Sequence, residues 1–146
     1  MNKTVYIIIA SLLAFHSVAS MAGVTERVWV STDKDSYLAG EIVWCSVFSM
    51  DPASGRLSSA NSVAYVEISS SAGQLVAAKI ALVGGRGSGA VQIPLSAPTG
   101  NYAILGYTAA SKGRPDLHAD SKVVSVFNTF SGLRVKGGVD ILEPAA

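Results

Sequence analysis

Apolar and polar or small side chains alternate with a period of two through most of the chain after residue 26, and no stretch there repeats with the helical period. A chain patterned this way can bury one face of a pleated sheet but cannot offer a helix an apolar stripe, so it is confined to an all-β architecture. Arg27–Thr32 places Val28 and Val30 on one side. Ile42–Phe48 sets Val43, Cys45 and Val47 against Ile42, Trp44 and Phe48. Ser62–Ile68 sets Ala64, Val66 and Ile68 against Val63, Tyr65 and Glu67. Leu75–Leu82, Ala90–Ile93, Tyr102–Thr108 and Lys122–Phe127 complete seven predicted strands. Between them Gly, Pro, Ser and Asn cluster, as hairpin and sheet-to-sheet connections require.

Seven short strands in about a hundred residues predict an immunoglobulin-like antiparallel β-sandwich rather than a barrel. Sidedness then names a surface. If Val28, Val30, Val43, Cys45 and Val47 point inward, Trp29 and Trp44 lie on the outer face, and the opposite sheet turns Tyr65, Leu105 and Tyr107 outward. A contiguous patch of such residues marks an interaction surface. The competing reading is that the N-terminal segment or residues 131–146 fold over one of these faces.

The first residues carry a different pattern. Lys3 precedes a largely apolar run of eleven residues, Val5–Phe15, followed by small residues ending in Ser20-Met21-Ala22. This is the layout of a cleaved secretory leader, predicting a signal helix over 1–22 and a mature start at Gly23, with cleavage after Ala19 as the alternative. The run falls short of the ~20 residues that span a bilayer. The mature part, a domain over 23–130 with a tail or further strand over 131–146, has room for one core. It holds ten Lys and Arg and ten Asp and Glu. That balance gives no footprint for nucleic acid or an anionic membrane, so contact with a membrane is expected only during export.

No constellation for catalysis stands out. Cys45, the single cysteine, occupies an inward position where the thiol packs as a small hydrophobe. Gly84-Gly85-Arg86-Gly87-Ser88-Gly89 lacks the Lys and helix of a phosphate loop and reads as a tight turn. Asp33, Asp35 and Glu41 miss the spacing of a calcium loop and suit local turn hydrogen bonds. His118 is the only histidine of the mature part, too few for a zinc site and without a nucleophile elbow to serve. The expectation is a non-enzyme with no metal or cofactor. Pro98-Thr99-Gly100-Asn101-Tyr102 matches a tyrosine corner, whose phenol bonds back to nearby backbone.

Taken in order, Thr32-Asp33-Lys34-x-x-Tyr37-x-x-Gly40-Glu41, then Ile42-Val43-Trp44, Tyr65-Val66-Glu67-Ile68, Pro98-Thr99-Gly100-Asn101-Tyr102 and Gly106-Tyr107-Thr108 resemble the macroglobulin domain of α2-macroglobulins, also found in exported bacterial proteins. The resemblance covers about residues 24–130. Ala39 stands where the family usually has Pro, and Cys45 where it usually has an aromatic. The resemblance implies a seven-stranded sandwich and a place in large assemblies that inhibit endopeptidases. Trapping needs many such domains and a bait segment, and covalent capture needs a Cys-Gly-Glu-Gln thioester, whereas Cys45 is followed by Ser46-Val47-Phe48. The expected function is therefore an exported, periplasmic or surface-located, non-catalytic binding or scaffold module that meets a protein partner or adjacent domain. The alternatives are a fimbrial or adhesin-type subunit exchanging a strand through 131–146, and a carbohydrate-binding module using exposed aromatics.

Overall fold

The alternating valines and isoleucines become strands because branched and aromatic side chains fit a pleated, half-buried surface. In the computed structural model, residues 26–114, 116 and 120–130 are described. They form β1 (Arg27–Thr32), β2 (Ser36–Leu38), β3 (Ile42–Asp51), β4 (Arg56–Leu57), β5 (Val63–Ser70), β6 (Gly73–Ala81), β7 (Arg86–Gln92), β8 (Gly100–Tyr107) and β9 (Lys122–Phe127). Residues 1–25, which include the expected leader, and the segment after Phe130 lie outside the described residues, and so does His118.

One half of the curled sheet runs β6-β5-β8-β9-β2 and the other runs β7-β3-β1, with β4 on the end of β3. The halves are joined where β1 meets β8 at the pair Val28↔Gly106. Their inner faces share one core containing Val28, Val43, Cys45, Val47, Val66, Ile68, Ile80, Ile104 and Val126. Val43, Val47, Val66, Ile68, Ile104 and Val126 are completely buried, each contributing on the order of 1.5–3 kcal/mol of transfer free energy. This is the all-β, immunoglobulin-like sandwich that the alternation predicts.

Three details differ from the expected seven antiparallel strands. β2 and β4 are additional, at three and two residues too short to carry a period. β2 also runs parallel to β9, pairing Tyr37 with Val126, because the chain leaves β1 and crosses to the other half before it runs beside the last strand. The third difference is β7, which begins at Arg86 rather than Ala90. Only Gly84 and Gly85 form the turn, both at positive φ (58° and 77°). They are closed by Val83 N–H donating to the Arg86 carbonyl (2.8 Å) and Arg86 N–H donating back (3.1 Å). Gly87 already belongs to the strand. A Cβ there would lie 2.2 Å from the Ala81 carbonyl oxygen, so glycine permits β6 and β7 to pass at backbone contact.

Candidate interaction surface

The outward side chains of β1, β3 and β7 form cross-strand rows. Trp29 lies opposite Phe48, Ser31 opposite Ser46, and Ser46 opposite Ser88, while Trp44 lies opposite Ala90 and Ile42 opposite Gln92. The serine row therefore runs between two aromatic rows. Trp44 and Phe48 are four residues apart on β3, about 13 Å along the strand. Trp29 is 50% exposed and Trp44 59%. Beside Trp44 the face sinks into a groove of about 430 Å³, lined by Ser31, Thr32, Asp33, Trp44, Ser46 and Ser88 with the strand residues Cys45 and Gly89 beneath.

The rim of that groove is set by the Thr32–Glu41 motif, whose polar groups interlock. Asp33 N–H donates to the Trp44 carbonyl at 3.1 Å. Asp33 Oδ1 accepts from Trp44 N–H (3.1 Å) and from the Tyr37 hydroxyl (2.7 Å). The Tyr37 oxygen accepts from Lys34 N–H. Glu41 Oε2 accepts from Leu38 N–H at 2.7 Å, and its Oε1 accepts from Lys34 Nζ at 3.0 Å. The ammonium also sits 4.9 Å from the Tyr37 ring centre. The Tyr37 hydroxyl, with the Trp44 N–H behind it, holds the Asp33 carboxyl below its ordinary value, and the Leu38 N–H with Lys34 does the same for Glu41. Asp35 pairs with Lys122 at 2.7 Å. The three carboxylates weighed as cation ligands are thus engaged in holding strands, and among the described residues no cluster of three His, Cys, Asp or Glu could hold a metal. The motif fixes the backbone at Trp44 through both its N–H and its carbonyl, and so holds the strand segment that carries the indole.

Cys45 points into the core with Sγ 3.5 Å from the Gly89 carbonyl, and burial pushes its thiol up, away from nucleophilic use. The Tyr102 hydroxyl donates to the Pro98 carbonyl at 2.8 Å, forming the expected corner at the start of β8. The reading of His118 as part of a triad falls on a position outside the described residues.

The second face departs from expectation. Tyr65, Leu105 and Tyr107 do turn away from the main core, but Leu105 and Tyr107 are only 4% and 5% exposed and Tyr65 is half-buried. With Ala103 they make a second apolar cluster. Tyr65 stacks on Tyr107 with ring centres 5.4 Å apart, and the Tyr107 hydroxyl donates to Glu67 at 3.1 Å. These residues are therefore not a free surface, and Leu105 and Tyr107 are withdrawn from it. The sequence did carry the warning: Tyr102-Ala103-Ile104-Leu105-Gly106-Tyr107 is apolar without interruption, the mark of a central strand buried on both faces, and every one of its residues is buried. Asp33, Tyr37 and the three serines of the groove were also missed as parts of the site, because each is an ordinary residue of a turn or strand until register brings them together.

Neither a protein-family model nor a curated protein sequence matches the chain. Among solved structures it superposes on the native conformation of Escherichia coli alpha-2-macroglobulin with a TM-score of 0.53 at 19% identity, over 71% of this chain and 6% of that one. Salmonella alpha-2-macroglobulin reacted with methylamine gives a TM-score of 0.53 at 17% identity, over 70% of this chain and 6% of that one. Escherichia coli alpha-2-macroglobulin activated by porcine elastase gives 0.52 at 17%, over 70% and 8%. The chain spans less than a tenth of the length of these proteins, and it has the fold of one macroglobulin-type domain within them.

Proposed function

We propose that this chain is an exported, non-catalytic binding or scaffold module of macroglobulin type that docks a protein partner or an adjoining domain through the Trp29–Trp44 face. The observation that carries this reading is the pair of indoles at 50% and 59% exposure, with exposed Ile42 beside Trp44 on the same strand. Large amphipathic rings held on a rigid sheet are typical anchors of protein interfaces. The groups with chemical potential support the same reading, since the carboxylates of Asp33 and Glu41 and the thiol of Cys45 all serve the fold. Export rests on the leader pattern of residues 1–22, and among the described residues no helix is long and apolar enough to cross a membrane. Membership of a protease-trapping assembly, as the likeness suggests, would make this chain one structural part of it and not the trap.

The test replaces Trp29 and Trp44 together by Ser. A folded variant, by circular dichroism, that no longer co-purifies with the partner retained by the wild type from the producing cell's envelope is the expected result. Equal retention by both proteins overturns the docking reading, and a variant that unfolds shows the indoles to be core residues. A second reading, strand exchange, has its own observation: among the described residues β6 pairs only with β5, and β7 over its length only with β3, so neither has a second partner strand there. Self-assembly lost on deleting residues 131–146 from a chain that stays folded would favour it.

A further inference from the structure

We infer that the groove beside Trp44 is a binding site for a neutral saccharide, with the indole as stacking wall and the serine row as a hydroxyl-reading floor. The proposal goes beyond the docking reading, sharing with it only the requirement that the Trp44 indole be free to bind. Its first ground is size: about 430 Å³ lies within the range of small-ligand sites, roughly 300–1,000 Å³. The second is the lining. Ser31, Ser46 and Ser88 stand side by side across three strands, exposed, at the register Ser31↔Ser46↔Ser88. Each hydroxyl both donates and accepts, which matches the hydroxyls of a sugar.

Charge narrows the choice. Among the described residues no Lys or Arg lines the groove, and the one ionisable oxygen pair in its lining belongs to Asp33. Oδ1 of Asp33 is committed to Tyr37 and Trp44 N–H, and those bonds keep the carboxylate ionised, so Oδ2 presents a fixed acceptor at the rim. Asp33 repels a phosphate, a nucleic acid or an acidic peptide at that rim, and Arg86, two residues from Ser88 on the same face, is not one of the lining residues. A floor of three hydroxyls beside a carboxylate asks for an occupant that brings hydroxyls of its own. A pyranose meets both demands, laying its C–H face on the indole and turning its hydroxyls to Ser31, Ser46, Ser88 and Asp33. The strand segment that carries the indole is held before any ligand arrives, by Asp33 N–H on the Trp44 carbonyl and by the Asp33 carboxylate on Trp44 N–H.

The test titrates the mature chain with short neutral oligosaccharides of glucose, mannose, xylose and N-acetylglucosamine, following tryptophan fluorescence and heat. Saturable binding of at least one series is expected. Trp44→Ala should weaken it about tenfold, Ser46→Leu should abolish it by filling the floor, and Trp29→Ala, outside the groove, should leave it unchanged. Absence of saturable binding across the panel overturns the inference, as does binding that survives both Trp44→Ala and Ser46→Leu in folded protein. A chain that keeps its protein partner through Trp29 but binds no saccharide removes this inference alone. Saccharide binding without protein docking removes only the reading of the wider face.

Discussion

On the β1-β3-β7 half, the side chains that turn away from the core include Trp29, Ser31, Trp44 and Ser46, and all four stay in water. On the β5-β8 half, Ala103, Leu105 and Tyr107 turn away from the core and are buried nonetheless. Both sets obey the same period of two, so the period does not decide exposure. Composition across the strands does separate them. The first face interrupts its aromatic rows with serines, whereas β8 sets an unbroken Ala103, Leu105, Tyr107 strip beside Tyr65. A strip of that kind costs free energy in water in proportion to its area, and the fold removes it from water. An indole separated from its neighbours by hydroxyls is a smaller burden and can be kept exposed for use.

The largest test of this contrast is Leu105→Ala. Buried as it is, the truncation should cost about 2–5 kcal/mol of stability in denaturant titration. A change near zero would return Leu105 to the surface and erase the difference between the faces. Next is Tyr37→Phe, which keeps the ring in place and removes the hydroxyl that joins Asp33 to Lys34 N–H. A loss of about 1–2 kcal/mol is expected, together with a changed Trp44 fluorescence if the motif positions that indole as described. Tyr102→Phe removes a single bond to Pro98 and should cost about 0.5–1.5 kcal/mol without affecting either face. An unchanged midpoint would mean the corner bond adds nothing.

Acid should act on the exposed side through the motif. Asp33 and Glu41 have folded values below their ordinary 3.8 and 4.5. The stability they contribute is therefore fully present above those ordinary values and is lost as pH falls through the depressed folded ones. Thermal midpoints should drop below about pH 4, and the drop should shrink in Asp33→Asn/Glu41→Gln; an equal drop in that variant would assign acid sensitivity to other groups. The smallest expected effect on stability is that of Trp29→Ser/Trp44→Ser, within about 0.5 kcal/mol by denaturation, as for surface changes generally. A loss comparable to that of Leu105→Ala would show that the two faces are alike after all.

Much of the fold was legible in the residues because it depends on local pattern. Arg27–Thr32 and Lys122–Phe127 match β1 and β9 end to end. The inward set Val28, Val43, Cys45 and Val47 and the corner at Tyr102 also stand as read. Alternation and turn chemistry act over a few residues, so sequence suffices for them. Pairing across distance was not legible. The parallel β2–β9 ladder, the passage of Gly87 over the Ala81 carbonyl and the tying of Asp33 to Trp44 each join residues far apart in the chain or in different halves of the sheet. The groove belongs with these, since Ser31, Ser46 and Ser88 become neighbours only through strand register. What the sequence determined by itself was which side of its strand each residue takes, because the pleat has period two. Which of those sides meets water was decided by the tertiary structure, because exposure depends on what packs above a side chain; only an unbroken apolar run such as Tyr102–Tyr107 announces burial on both sides.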